Sequence, residues 1–436
     1  MNFEIKTYQK DKFDLLELDL NKKNNNRFSF DNRIDYALLL PAFLLIIIGL
    51  YALSVAVTHD HPSRATQMVV QQGIWVLVGI FVGFIVMHLD SKLLWKFTPF
   101  FYGLGLFLNV LPIFFHDAAT VQSTGAKNWF AIGGHNLFQP SEFMKIAFIL
   151  FISRIVVNFQ NNLEARGVKD DFRLIGRLLL ATLPVAILSF FQKDFGTFLV
   201  FIVILAGVIL VSGVTWKIIV PAVLIVSAVA GGIIALVANP AGQAFLEKMS
   251  FATYQVQRFE AWLHPFDNMQ TFSLQQARSL ISIGVGGLWG SGFGVANVQV
   301  PVRESDMIFT VIAEDFGFIG STFLILLYFM LIYRMIRVTF KSNNQFYTYI
   351  STGIIMMILF HVFENIGAAV GVVPLTGIPL PFISQGGSAL MSNMIGLALV
   401  LSMKYNQIPE GVIKQAAIDK GRSRLNAKKE KRSQRR

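Results

Sequence analysis

Ten stretches of about twenty apolar residues recur along this 436-residue chain, and no other feature restricts its fold as strongly. A hydrocarbon core roughly 30 Å thick takes about 20 helical residues to cross. Within lipid, only a helix or a closed barrel satisfies its own backbone N–H and C=O groups. The runs fall near 36–57, 69–88, 95–115, 142–159, 178–192, 196–212, 216–237, 307–333, 348–372 and 387–403. The fifth and sixth are short and meet at Gln192-Lys193-Asp194, so they read either as two spans or as one re-entrant element. The two-span reading is carried forward. Only 14% of residues are charged, against about a quarter in soluble domains. The expected class is an all-α polytopic membrane protein of about ten transmembrane helices.

Charge sets the expected orientation. Residues 404–436 hold 11 Lys/Arg against Glu410, Asp419 and Glu430, which is +8 of a formal net charge of +11. Basic segments flanking membrane spans stay cytoplasmic, and such a tail also suits anionic membrane lipids. Aromatic residues do not interleave with these charges, so nucleic acid is not an expected partner. The first 35 residues are polar and lack the apolar run of a signal peptide. They read as a cytoplasmic extension, 36–403 as the membrane domain and 404–436 as a basic cytoplasmic tail. With both ends inside, 116–141, 192–195, 238–306 and 373–386 face outward. The third is far longer than a connector needs and is expected to carry function. There is no cysteine, so disulfides and thiolate metal sites are excluded.

The outward segments hold the unusual polar residues. The first runs Gly125-Ala-Lys-Asn-Trp129, then Gln139-Pro-Ser-Glu-Phe-Met-Lys145. Pro140 and Ser141 mark a helix start, and Glu142 suits its positive end. Glu142 and Lys145 are three apart and share a helix face. A charge deep in lipid costs roughly 2.5–3.5 kcal/mol, so both should face protein or a wet cavity. An ion pair locking the helix and a polar cavity wall remain compatible readings. Lys193 and Asp194 read either as a solvated hairpin tip or as a polar group at a cavity mouth.

The long segment contains Tyr254-Gln-Val-Gln-Arg258 and the glycine series Ile283 to Gly294. Trp289 stands where a dinucleotide fingerprint needs its last glycine, so that site is rejected. The glycines read as tight turns or as close backbone approach to a substrate. Asp306 sits where this segment enters the eighth span. It reads as a general base, against the simpler role of a carboxylate satisfying helix N–H groups. The last outward segment, 373–386, holds Pro374, Pro379 and Pro381 and cannot be a continuous helix. His361, Glu364 and Asn365 imply an internal polar face on the ninth span.

Together these motifs resemble the SEDS family (shape, elongation, division and sporulation), over about Arg33 to Met403. The family's GA-[KR]-x-W-I and QPSE-x-x-K appear at Gly125–Trp129 and Gln139–Lys145, its QPDLGT at Gln192–Thr197 and its YQ-x-x-R at Tyr254–Arg258. Its LPERHTDFIF and AEEFG correspond to Val300–Phe309 and Ala313–Gly317, and its GxPLPFxSYGGS to Gly377–Ser388. Val302, Glu304, Lys193 and Gln385 depart from that pattern. Arg33-Ile-Asp35, with Gln72 and Trp75, resembles the RodA branch of the family rather than the FtsW branch.

The resemblance implies a peptidoglycan glycosyltransferase that polymerises lipid II at the outer face of the bacterial cytoplasmic membrane, in cell elongation and shape. It makes Asp306 the catalytic residue. The substrate-binding set it implies is Lys127, Trp129, Gln139, Ser141, Glu142, Lys145, Asp194, Arg258, Arg303, Ser384 and Ser388. The leaving group, undecaprenyl pyrophosphate, needs cationic side chains or a divalent cation such as Mg2+ or Mn2+. Of the expected cations, Lys127, Lys145, Arg258 and Arg303, the arginines suit pyrophosphate best. Its partner would be a class B penicillin-binding protein, a transpeptidase. A septal, FtsW-like polymerase and a lipid II transporter are the alternatives.

Overall fold

Fifteen of the 22 residues in the helix that opens on Pro140 are buried, and Glu142 and Lys145 are among them. The computed structural model describes residues 33–163, 166–239, 242, 253–267, 273–342 and 344–406. The chain begins with α1 (Tyr36–Asp60), α2 (Ala65–Met87), α3 (Ser91–Phe114) and the short α4 (Ala118–Thr124). A hairpin of β1 (Phe130–Ile132) and β2 (His135–Phe138) leads into the central helix, α5 (Pro140–Asn161). Next come α6 (Val168–Gln192), α7 (Phe195–Val211), α8 (Trp216–Val237), α9 (Thr253–Leu263) and α10 (Leu274–Gly286). The chain closes with α11 (Ile308–Lys341), α12 (Gln345–Ala369) and α13 (Gly387–Tyr405). Helices α3, α6, α7, α12 and α13 all pack on α5. Most of the expected N-terminal extension and basic tail lie outside the described residues, as does part of the 238–306 segment.

Eight of the described helices are long and apolar enough to cross a membrane. The other two expected spans are present as helices: α5, which carries Glu142, Lys145 and Arg154, and α7, which is 17 residues long. The protein is therefore a multi-pass, all-α membrane protein with one small hairpin. The chain turns between α6 and α7 at Lys193, whose φ is 56°, and Asp194 starts α7 by accepting from Thr197 N at 3.1 Å. Two separate helices follow rather than one continuous element. The β1–β2 hairpin was not expected. Its two-residue turn is Gly133-Gly134, both at positive φ, the backbone that a tight hairpin turn demands.

Large apolar side chains face outward, Leu77 and Phe81 on α2 and Leu224 and Val226 on α8 among them. Acyl chains solvate such a surface as well as protein does. At the end of the bundle near the described termini, Asp35 accepts from Leu38 N and so caps α1. It also holds Arg334 of α11 at 2.9 Å and Lys404 of α13 at 3.4 Å, so one carboxylate ties three helices together.

The glycine series explains itself on α11, which is broken at Gly317 (φ 62°, ψ −156°). A kink frees N–H and C=O groups that need partners. Here Phe318 N and Ile319 N donate to the carbonyls of Gly287 and Leu288, while Ser291 N and Gly292 N donate to those of Glu314 and Asp315. The two backbones lie so close that a Cβ on Gly290 would fall on the Asp315 carbonyl. These glycines serve close approach to a helix rather than to a substrate. Two buried carboxylates complete the clasp. Glu314 accepts from Ser282 Oγ and Val298 N, and Asp315 from Tyr51 Oη and Gly294 N.

Candidate active site

A cavity of about 580 Å³ opens at the end of the bundle that gathers 116–139, 192–195, 300–306 and 373–386. Several backbone bonds bring these segments together. Lys127 N donates to Gln192 O at 2.7 Å, Gln139 N to Ser388 Oγ at 3.1 Å and Gln385 N to Glu304 O at 3.0 Å.

Asp306 lies on the cavity wall in the run of turns that feeds α11. Its backbone carbonyl accepts from Asn365 Nδ2 at 2.8 Å, and the same amide donates to Ile378 O at 2.9 Å. One asparagine therefore fixes the aspartate against the 373–386 segment. The carboxylate caps no helix: Ser305 Oγ donates to it at 3.0 Å, and α11 starts at Met307 without a side-chain cap. Gly377, at φ 82°, leaves the space the carboxylate uses, because a Cβ there would lie 3.3 Å from Asp306 Oδ2 and 3.8 Å from Arg258 Nη2. Arg258 is held by donating from Nη1 to Leu375 O at 2.8 Å. The carboxyl faces the cavity but is otherwise densely enclosed. Burial pushes its pKa above the ordinary 3.8, and Glu304 adds to the rise, while Ser305 and Arg258 pull it back.

The polar wall continues inward along α12 and α5. Glu364 Oε1 accepts from Thr376 N at 2.8 Å and from Thr376 Oγ1, while its Oε2 is buried and has no hydrogen-bond partner among the described residues. Deeper still, Lys145 donates to Glu142 at 2.9 Å and to His361 Nε2 at 3.3 Å. Asp194 is the hub of the rim. It accepts from Asn128 Nδ2 at 2.8 Å, Gln139 Nε2 at 3.3 Å, and both the N–H and hydroxyl of Thr197. It is 8% exposed, so it is a built part of the mouth and not a solvated tip.

The structure thus brings Trp129, Gln139, Glu142, Lys145, Asp194, Arg258 and Asp306 to one cavity. Five other expected site residues take different places. Arg303 is 1% exposed and is held by Asp60 at 2.9 Å, so its charge is committed inside the protein. Ser384 Oγ donates to Ser305 O at 2.6 Å and accepts from Leu380 N, which fixes the loop beside Asp306. Ser388 is occupied by Gln139 N. Ser141 is buried in α5, and Lys127 contributes a backbone bond; neither side chain lines the cavity. Asp60, Asn128 and Thr376 had no sequence signal, because each acts through partners far away in the chain. Among the described residues, no group of three or more His, Cys, Asp or Glu is placed to hold a metal.

A bundle of membrane-spanning helices around a cavity, with a carboxylate beside a guanidinium on its wall, defines a polytopic membrane protein. Residues 34–408 match the FtsW, RodA and SpoVE family of cell cycle proteins, and the chain belongs to it. Relatives include MrdB of Escherichia coli, named a peptidoglycan glycosyltransferase, 29% identical over 87% of this chain and 96% of its own. FtsW of Thiomicrospira cyclica is 30% identical over 87% and 94%. Stage V sporulation protein E of Bacillus subtilis is 28% identical over 83% and 96%. The fold is also that of Thermus thermophilus RodA, at a TM-score of 0.59 over 86% of this chain and 98% of that one, with 24% identity. A chain of a solved peptidoglycan synthase complex matches at a TM-score of 0.69 over 86% and 98%, also at 24% identity.

Proposed function

We propose that the chain is a peptidoglycan glycosyltransferase that polymerises lipid II, with Asp306 as its general base. The carrying observation is the placement of Asp306: on a cavity wall, pinned by Asn365, beside Arg258, with a carboxyl held above its usual pKa. Asp306 takes the proton of the acceptor sugar hydroxyl as that oxygen attacks the anomeric carbon of the donor. The bond from that carbon to undecaprenyl pyrophosphate breaks, and the pyrophosphate leaves with the electron pair. Arg258 offers the developing negative charge a guanidinium at the same wall. The apolar lining, with Phe259, Ile233 and Phe363, suits the lipid side of such a substrate.

The reading puts both termini in the cytoplasm and the cavity on the outer face, and the basic tail supports it. An elongation role is the finer reading, resting on Arg33-Ile-Asp35, Gln72 and Trp75; depletion should then give rounded cells and not failed septa. The reading includes a transpeptidase partner, and a solved peptidoglycan synthase complex described as coordinating polymerization and crosslinking supports it. The deciding experiment supplies lipid II to purified, folded protein. Asp306→Asn should lower glycan polymerisation by about 10²–10⁴-fold, the usual contribution of a positioned base. Full activity in that variant would remove Asp306 from the chemistry, and leaflet exchange without glycan chains would make the wild type a transporter.

A further inference from the structure

Three cavity-lining side chains carry a buried nitrogen or oxygen with no hydrogen-bond partner among the described residues: Glu142 Oε2, His361 Nδ1 and Glu364 Oε2. Charge accounts for the first, since Lys145 Nζ lies 2.8 Å away. The other two have no part in the chemistry at Asp306. His361 is 2% exposed and Glu364 is 3% exposed. A buried polar atom left unmatched is costly unless a ligand completes it.

The two atoms have opposite needs. Lys145 Nζ lies 3.3 Å from His361 Nε2, and an ammonium can only donate, so Nε2 accepts and the ring proton sits on Nδ1. His361 is thus left with a donor to satisfy. Glu364 Oε1 is engaged by the N–H and hydroxyl of Thr376, and its Oε2, a carboxylate oxygen, can only accept. The residues are three apart on α12 and share one helix face. That face stands beside the base. Thr376 precedes Gly377, where a Cβ would lie 3.3 Å from Asp306 Oδ2, and Asn365 donates to the Asp306 carbonyl.

A donor and an acceptor one turn apart complement a secondary amide, whose N–H and C=O are fixed in opposite directions. Two sugar hydroxyls could satisfy both atoms, but they bring no methyl group, and Phe360 and Phe363 of the same helix line the cavity too. An acetamido group joins the amide and the methyl in one unit. A 2-acetamido sugar carries it on the carbon next to the anomeric one. We propose that His361 and Glu364 form the subsite for the acetamido group of the donor sugar, with His361 Nδ1 donating to its carbonyl and Glu364 Oε2 accepting from its N–H. This rests on the glycosyltransferase reading above. Such a grip holds the anomeric carbon in place beside Asp306. Neither residue exchanges a proton with the sugar.

The test uses the full chain in detergent micelles and two probes: lipid II, and a synthetic analogue whose pyrophosphate-bearing sugar has an acetate ester in place of the acetamido group. The ester keeps the carbonyl and the methyl and loses only the N–H. By isothermal titration calorimetry, wild type should bind lipid II at least about tenfold more tightly than the ester. This comparison needs no variant. In Glu364→Gln an oxygen stays with Thr376 and an NH2 donor replaces Oε2, so the preference should vanish or reverse at an unchanged unfolding temperature. His361→Phe, in which Lys145 keeps Glu142, should weaken both lipids alike. Equal binding of the two lipids by wild type, an undiminished preference in folded Glu364→Gln, or wild-type affinity in His361→Phe overturns the proposal. Wild type that prefers lipid II in binding but makes no glycan from it keeps the subsite and overturns the glycosyltransferase reading, so the two failures are distinct.

Discussion

Arg303 grips Asp60 through two hydrogen bonds, Nε to Oδ2 at 2.9 Å and Nη2 to Oδ1 at 3.0 Å, while its Nη1 donates to Val298 O at 3.1 Å. The fork joins the end of α1 to the turn three residues before Asp306, so that turn is held from 243 residues away in sequence. Removing one partner of a buried pair costs about 3–5 kcal/mol, because the other charge is left without compensation. Arg303→Met should therefore lower thermal stability in detergent strongly. Arg303→Lys, which keeps the charge but loses the fork, should fall between. A wild-type unfolding temperature in Arg303→Met would show that the pair does not hold this turn.

The pH profile follows from the surroundings of Asp306. A base must be ionised, and this carboxyl titrates above 3.8. Activity should fall as pH drops through that raised value. Arg258 favours the charged form, so Arg258→Gln should move the acid limb of kcat/KM to higher pH. Glu304 disfavours it, so Glu304→Gln should move the limb to lower pH. Limbs that stay put in both variants would mean that another group titrates. Linkage has the opposite sign for stability. A carboxyl whose pKa is raised on folding is costly to ionise, and the penalty grows as pH rises through the unfolded value. Asp306→Asn should consequently unfold at a higher temperature than wild type near neutral pH.

Gly290 has φ 86° and lies against the Asp315 carbonyl, so an alanine there meets both backbone strain and an overlap. Strain of this kind costs roughly 1–3 kcal/mol before the overlap is counted. Gly290→Ala should be less stable than Gly284→Ala, whose added Cβ would meet nothing within 4 Å. Equal unfolding temperatures for the two variants would contradict the clasp between the glycine series and α11.

Asp194 caps α7 and collects the amides of Asn128 and Gln139. Asp194→Ala loses the cap, worth about 0.5–2 kcal/mol, and the charge-assisted bonds, worth about 1.5–3 kcal/mol each. Because those amides shape the cavity mouth, KM for lipid II should rise more than kcat falls. Asp194→Asn should retain most of the stability. A change confined to kcat would place Asp194 in the chemistry instead of at the entrance.

The sequence by itself determined the membrane class and the ten helices, because twenty-residue apolar runs have no other way to satisfy their backbone in lipid. It also singled out Glu142 and Lys145, because charged residues at membrane depth are too costly to occur without a purpose, and pointed to Asp306, Arg258 and Asp194 through the outward segments and the family resemblance. Short-range rules could go no further. Arg303 and Asp60, or Asn365 and the carbonyls it joins, are neighbours only after the helices pack. The same holds for Gly290 against Asp315, where the sequence allowed either tight turns or close approach to a substrate and the structure shows a brace on a broken helix. Which cations face the cavity and which are already paired was likewise decided by tertiary structure. A side chain's availability depends on what else can reach it, and that is a property of the packed bundle and not of the chain.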